Sequence, residues 1–123
     1  MSCPFCEIFA KGDYIEIDAE LNCILFEPFN PASQGHLLAV PTEHVETAAE
    51  DPDALGRAAK AAARYAIRNS LHDFNVIQSN GRAATQGVFH LHVHLVPRIA
   101  GDADNSGLSW PWTHDNPQLG RFA

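Results

Sequence analysis

The chain has 123 residues, 46% of them hydrophobic and 19% charged, with a formal net charge of −7. That composition suits a single domain with a real core and excludes a disordered or low-complexity chain. The acidic balance excludes broad, non-specific binding to nucleic acid or anionic membranes, which needs a basic surface.

No segment approaches the length of a membrane span, and the opening residues lack the charged and apolar regions of a secretion signal. Three cysteines fit a reducing compartment better than a disulfide framework, so a cytoplasmic location is expected.

Cys3-Pro4-Phe5-Cys6 opens the chain, followed by a short helical turn through Ala10 that Gly12 ends. Tyr14 to Ile17 and Cys23 to Phe26 read as strands joined by a polar turn, and the proline- and glycine-bearing stretch after Phe26 is a loop. His36 to Val40 is a third strand, stopped at Pro41. Residues 42–50 form a short helix or turn carrying His44.

Asp51-Pro52-Asp53 is a helix start, with Asp51 as N-cap and proline at the first helical position. That helix should run to about Asn69, burying Leu55, Ala59, Ala62, Ala63, Ala66 and Ile67. Arg57, Lys60, Arg64 and Arg68 then form a stripe at helical spacing, a solvated outer face or else a ridge for phosphate. Phe74 to Gln78 is a fourth strand, followed by a polar, glycine-bearing loop.

From Val88 to Arg98 the residues alternate. Phe89, Leu91, Val93 and Leu95 fall on one side; Val88, His90, His92 and His94 fall on the other. A period of two is that of a β-strand, so this is a fifth strand with an apolar face and, along the opposite surface, a row of imidazoles. The pattern predicts one α+β domain over residues 1–123: a roughly five-stranded antiparallel sheet, one main helix and a short N-terminal helix. The core should lie at about 1–100 and an irregular tail at about 101–123, where Pro111 and Pro117 forbid a helix.

Three chemistries are open. Cys3 and Cys6 can grip one tetrahedral zinc, with His44 and one of the row of histidines as further ligands. They can equally be small buried residues, while a redox pair would need a strand–helix context that is missing. The histidine row can ligate a catalytic metal, or one histidine can be a nucleophile tuned by its neighbours; His92, flanked on both sides, is then the position of choice. Gly81, Gln86 and Gly87 before the row and Arg98 after it offer backbone and side-chain donors to an anion. Cys23, in an apolar strand, is a buried hydrophobe.

His90-Leu91-His92-Val93-His94-Leu95-Val96 resembles the signature of the histidine triad (HIT) superfamily. The resemblance extends over nearly the whole chain: His36 to Pro41 followed by His44 is similar to the family's central strand, and Gln86 and Pro97-Arg98 flank the triad as they commonly do there. Cys3 to Cys6 is similar to the N-terminal pair of zinc-containing members.

The resemblance implies a homodimeric enzyme acting on a nucleoside phosphate, with a continuous sheet across two chains. His92 would attack the α-phosphorus and form a covalent nucleotidyl-histidine, resolved by water or another acceptor. His94 would bind phosphate oxygens, and His36 would support the ring of His92. Cys3, Cys6, His44 and His90 would hold structural zinc.

The chain also departs from the pattern. Pro28 stands where the family has an acid or amide for the ribose, with Glu27 and Asn30 as the nearest substitutes. Gly87 stands where serine or threonine is usual, and Ser79, followed by Asn80, stands where an amide is common. These departures motivate a second reading, a nucleotide-binding protein with little turnover. A third is a metal-dependent enzyme with the triad as ligands. Trp110 and Trp112 would pack at the dimer interface or over the base.

Overall fold

The structure, a computed structural model, describes residues 2–100. The expected tail and its two tryptophans lie outside the described residues. In chain order the elements are α1 (Pro4–Lys11), β1 (Glu16–Asp18), β2 (Cys23–Phe26), β3 (Leu37–Pro41), α2 (Pro52–Arg68), β4 (Phe74–Gln78) and β5 (Val93–Pro97), with a 3₁₀ turn at Arg82–Ala84. The strands form one antiparallel sheet in the order β1-β2-β3-β5-β4, the α+β architecture expected.

Every residue of β2 and β3 is buried, because the sheet is covered on both faces. Leu25, Leu37, Ala39, Leu91, Val93 and Leu95 pack against the alanines of α2. Ile24, Phe26, Leu38 and Val40 point the other way and pack with Val88 and with Phe5 from α1. His94 pairs directly across from Leu38, so its ring and that of His36, two residues before Leu38, project on the α1 side.

Helix α2 begins as its sequence predicts: the Asp51 carboxylate accepts from the backbone N–H of Ala54, and Pro52 takes the first turn. Its buried face is Ala54, Ala58, Ala61, Ala62 and Ala66. The expected face is thus corrected in register: Leu55 and Ala59 sit at its margin, and Ile67 is 77% exposed. Methyl side chains let the helix axis lie close to the sheet, and larger side chains are displaced to the flanks.

The arginine stripe is no phosphate ridge. Arg57 pairs with Glu43 and Asp53, Arg64 with Asp18 and Glu20, and Arg68 with Glu16, tying α2 to β1 and the segments around it. Residues 42–50 are turn and loop rather than helix, and β5 is shorter than the alternation predicts. The segment before it leaves the sheet because Leu91 donates its backbone N–H to Val45 O at 2.6 Å, out of register with β3.

The alanine face gives a direct test. Ala62→Leu overpacks the α2–sheet interface and should destabilise the protein by roughly 1–3 kcal/mol. Lys60→Ala, at an exposed position of the same helix, should stay within about 0.5 kcal/mol of the wild type in the same urea unfolding experiment.

Candidate active site

Four imidazoles lie on the α1 side of the sheet, and all are buried: His36, His90, His92 and His94 are between 0% and 2% exposed. The expectation of a histidine row along an open surface is corrected accordingly. The face is closed by Phe5 of α1, whose ring meets His90 at 5.8 Å and His92 at 5.2 Å, both edge-on.

Backbone partners fix the tautomer of each ring. An amide N–H can only donate and a carbonyl can only accept, so each such contact assigns one ring nitrogen. His92 Nδ1 lies 2.8 Å from the carbonyl of His90, so Nδ1 carries the proton and Nε2 carries the lone pair. Ala32 donates its N–H to His36 Nδ1 at 2.8 Å, which puts the His36 proton on Nε2. That Nε2–H faces His94 Nδ1 at 3.0 Å, so neutral His94 bears its proton on Nε2. The hydrogen bond of His36 therefore goes to His94, where support of the His92 ring was expected.

The loop that makes this chain of contacts possible is held down at its end. Ser33 donates its hydroxyl to Pro97 O at 2.8 Å. Gly35, at φ +85°, passes so close to Pro97 that a Cβ there would meet its ring at 3.3 Å.

Burial favours the neutral form of His36, His90 and His94. It lowers the pKa of His36 to about 4, with the neighbouring charge of His92 adding to the effect. Burial also puts His94 well below the ordinary histidine value, with His92 and His36 acting in the same direction. The site therefore combines an imidazole lone pair at His92 with an imidazole N–H donor at His94, their ring centres 5.1 Å apart.

The second cluster sits beside the first. The ligand atoms of Cys3, Cys6, His44 and His90 all lie within 4.8 Å of one another. His90 Nδ1 is 3.4 Å from Cys3 Sγ and 3.6 Å from Cys6 Sγ, and His44 Nδ1 is 3.4 Å from Cys6 Sγ. A tetrahedron with ordinary zinc–sulfur and zinc–nitrogen bonds places sulfur and nitrogen about 3.5 Å apart, so the four residues fit the ion. His90 Nε2 donates to Pro41 O at 2.8 Å, which leaves the Nδ1 lone pair directed at the thiols. Among the described residues His92 and His94 belong to no such group, which disfavours the triad as a set of metal ligands.

The other expected site residues are more scattered. Gln86 accepts from Gly81 N with its oxygen and donates both amide protons, to Glu46 O and Val88 O, so it braces its loop and has no proton left for an anion. Asn80 forms a head-to-tail amide pair with Gln78 and accepts from Ala48 N. Ser79 is buried, and Gly87 is exposed in a cavity of about 450 Å³ shared with Cys3, His44, Glu46, Val88 and Phe89.

Arg98 bonds Asn75 at the far end of β5, about 13 Å beyond His94 at the rise of an extended strand. Glu27 is exposed, whereas Asn30 places a buried Nδ2 with no hydrogen-bond partner in the loop that carries Ala32 and His36. Phe5 and the carbonyls of Pro41 and His90 went unforeseen. An apolar residue between two cysteines carries only a faint signal, and backbone groups carry none.

A family model described as HIT domain matches residues 17–101. The chain is 34% identical over 118 residues to the adenosine 5′-monophosphoramidase hnt1 of Schizosaccharomyces pombe, covering 90% of this chain and 84% of that protein. It is 32% identical over 107 residues to the adenylylsulfatase HINT3 of Arabidopsis thaliana, covering 81% of this chain and 54% of that protein. Among solved structures, a zinc-bound histidine triad family protein from Mycobacterium smegmatis matches with a TM-score of 0.68 at 29% identity, covering 99% of this chain and 90% of that chain.

The buried imidazoles predict an acid-sensitive fold. His36 binds a proton near pH 4 when folded and at about 6.5 when unfolded, so between those values the unfolded chain holds more protons. Stability is therefore full above about pH 6.5 and falls as pH drops towards 4, by roughly 3 kcal/mol from His36 alone. His94 is displaced in the same direction and adds to the loss. Urea unfolding from pH 7.5 down to about 4.5 should show this slope, and His36→Gln should flatten it.

Proposed function

The chain belongs to the HIT domain family, and from that premise we propose that it is a nucleotide hydrolase or transferase that cleaves at the α-phosphorus of a nucleoside phosphate through His92. The observation that carries the reading is the His92 Nδ1–H to His90 carbonyl contact at 2.8 Å, which in the neutral ring puts the proton on Nδ1 and the nucleophilic lone pair on Nε2.

In the first step the Nε2 lone pair forms a nitrogen–phosphorus bond. The bond to the leaving group breaks with its electron pair staying on the leaving atom, which takes up a proton. In the second step the oxygen of water, or of another acceptor hydroxyl, attacks phosphorus and gives up its proton, and the lone pair returns to Nε2. The Nε2–H of His94, set by His36, is the donor available to a phosphate oxygen as charge develops. Asn30, with its unsatisfied buried amide, is the best-supported ribose contact now that Pro28 holds the usual position.

Zinc held by Cys3, Cys6, His44 and His90 is the second part of the reading. The donor set, its spacing and the Pro41 contact of His90 support it, and bound zinc supplies structural cross-linking rather than chemistry. Burial and the neighbouring Cys3 raise the thiol of Cys6 to about 11, so metal uptake must release protons and weakens in acid. Free thiols fit a reducing compartment such as the cytoplasm. No described helix is long and apolar enough to cross a membrane.

A homodimer completes the proposal. β4 is an edge strand with Val76 46% exposed, which suits pairing with a second copy.

Protein quenched in alkaline denaturant, which preserves a histidine nitrogen–phosphorus bond, should carry a nucleotidyl group in the wild type and none in His92→Ala after mixing with adenosine 5′-monophosphoramidate, adenosine 5′-phosphosulfate or a dinucleoside polyphosphate. Turnover should fall at least about a thousandfold in the variant while nucleotide affinity persists. Wild-type protein that binds nucleotide but turns over none of these substrates would establish the second reading, a nucleotide-binding protein, for which the exposed Gly87 is the motivation. Native mass spectrometry should give two chains and two zinc ions. Cys3→Ser and Cys6→Ser should lose the metal, and full retention by both would exclude the four-ligand site.

A further inference from the structure

We propose that Phe5 is a positioning residue for His92, linking the orientation of that ring to the state of the Cys3–Cys6–His44–His90 cluster. The inference rests on the functional reading above for the roles of His92 and of the four ligands. What it adds is the connection between them.

Phe5 lies between the two thiols, on the first turn of α1, and is fully buried. Its ring is nearly perpendicular to three others: Phe26 at 5.3 Å and 64°, His90 at 5.8 Å and 66°, and His92 at 5.2 Å and 83°. Perpendicular packing is the preferred geometry of aromatic pairs. The backbone bond from His92 Nδ1 fixes one point of the imidazole, and a ring held at one point can still tilt about it. Contact with Phe5, together with the edge-on contact of His94 at 5.1 Å, sets the plane.

What holds Phe5 there is the attachment of α1. The helix has eight residues, too few to persist alone in water. Its ends are capped by the Cys3 sulfur, which accepts from Cys6 N, and by left-handed Gly12, but caps stop a helix without docking it. Docking comes from the burial of Phe5 and from the two thiols, which reach His44 on the loop after β3 and His90 just before β5.

Separating the thiols from the two imidazoles frees α1, and Phe5 leaves with it. A second route runs in parallel. His90 offers Nδ1 to the cluster and its carbonyl to His92, so a backbone shift at His90 also disturbs the His92 bond. The two clusters thus share Phe5 and His90, which neither a metal site nor a nucleophile would require separately.

The test observes the His92 ring itself. Protein labelled with ¹⁵N-histidine is compared zinc-loaded and after chelation with the thiols kept reduced, with the His92 signals assigned by His92→Gln and zinc content measured on each sample. Zinc-loaded wild type should give one sharp set of His92 signals with the proton on Nδ1. Chelated wild type and zinc-loaded Phe5→Leu should both give broadened or mixed-tautomer signals. Phe5→Leu should also lower kcat about tenfold with KM nearly unchanged, the rate equivalent of one aromatic contact.

Lys60→Ala, at an exposed position of α2, is the control and should leave the His92 signals as in the wild type. Wild-type His92 signals in the chelated protein, or in zinc-loaded Phe5→Leu, would overturn the proposal, as would an equal disturbance in Lys60→Ala. A wild type that takes up no zinc overturns both this link and the metal site. One that takes it up with His92 unmoved overturns the link alone.

Discussion

The hydrogen bond from His92 Nδ1–H to the carbonyl of His90, at 2.8 Å, is the constraint on which the proposed chemistry rests. Imidazole has two nitrogens and one mobile proton when neutral, and a nucleophile needs the proton on the nitrogen that does not attack. A backbone carbonyl two residues away makes that choice without a carboxylate. No negative charge is needed to make it. The same logic runs through the neighbouring rings. Ala32 N–H sets His36, His36 sets His94, and Pro41 O sets His90. Three backbone groups and the rings' own contact give each of the four histidines a definite tautomer, with the proton on Nδ1 in His92 and on Nε2 in the other three.

That scheme works because the rings are buried. A protonated imidazole donates from both nitrogens, and protonation would erase every distinction just drawn. Covering the sheet on the α1 side as well as the α2 side lowers the pKa of His36 and His94, so the pattern persists at neutral pH. The burial of polar rings is tolerated because both nitrogens of His36, Nε2 of His90, Nδ1 of His92 and Nδ1 of His94 meet groups of the complementary kind. The consequence is a set of imidazoles covered by a short N-terminal helix through Phe5.

Much of this was legible in the residues because strand alternation carries information about faces. The histidine row, its apolar counterpart, the Asp51-Pro52 helix start and the run Phe74 to Gln78 all came through, and the last matches β4 residue for residue. The grouping of Cys3, Cys6, His44 and His90 was legible through the family resemblance, since by spacing alone the two cysteines can equally be small buried residues. Three things were hidden.

Alanine differs little from its neighbours in hydrophobicity, so the buried face of α2 was read out of register and Ile67 was placed inside. The alternation around His92 continues past the point where backbone pairing stops, since side-chain period does not report where Leu91 finds its carbonyl partner. The partners of the histidines are mainly backbone groups, and a sequence has no letter for a carbonyl. Gln86 shows the reverse error: a residue type suited to binding an anion is fully engaged in bracing a loop.

The most direct measurement is a crystal structure of the protein with a nucleoside 5′-monophosphate in the site. The account predicts the phosphorus about 3–3.5 Å from His92 Nε2, in line for attack, with His92 Nδ1 still on the His90 carbonyl and the His94 Nε2 side facing a phosphate oxygen. A phosphate bound elsewhere, or His92 Nε2 engaged by a metal ion, would contradict it.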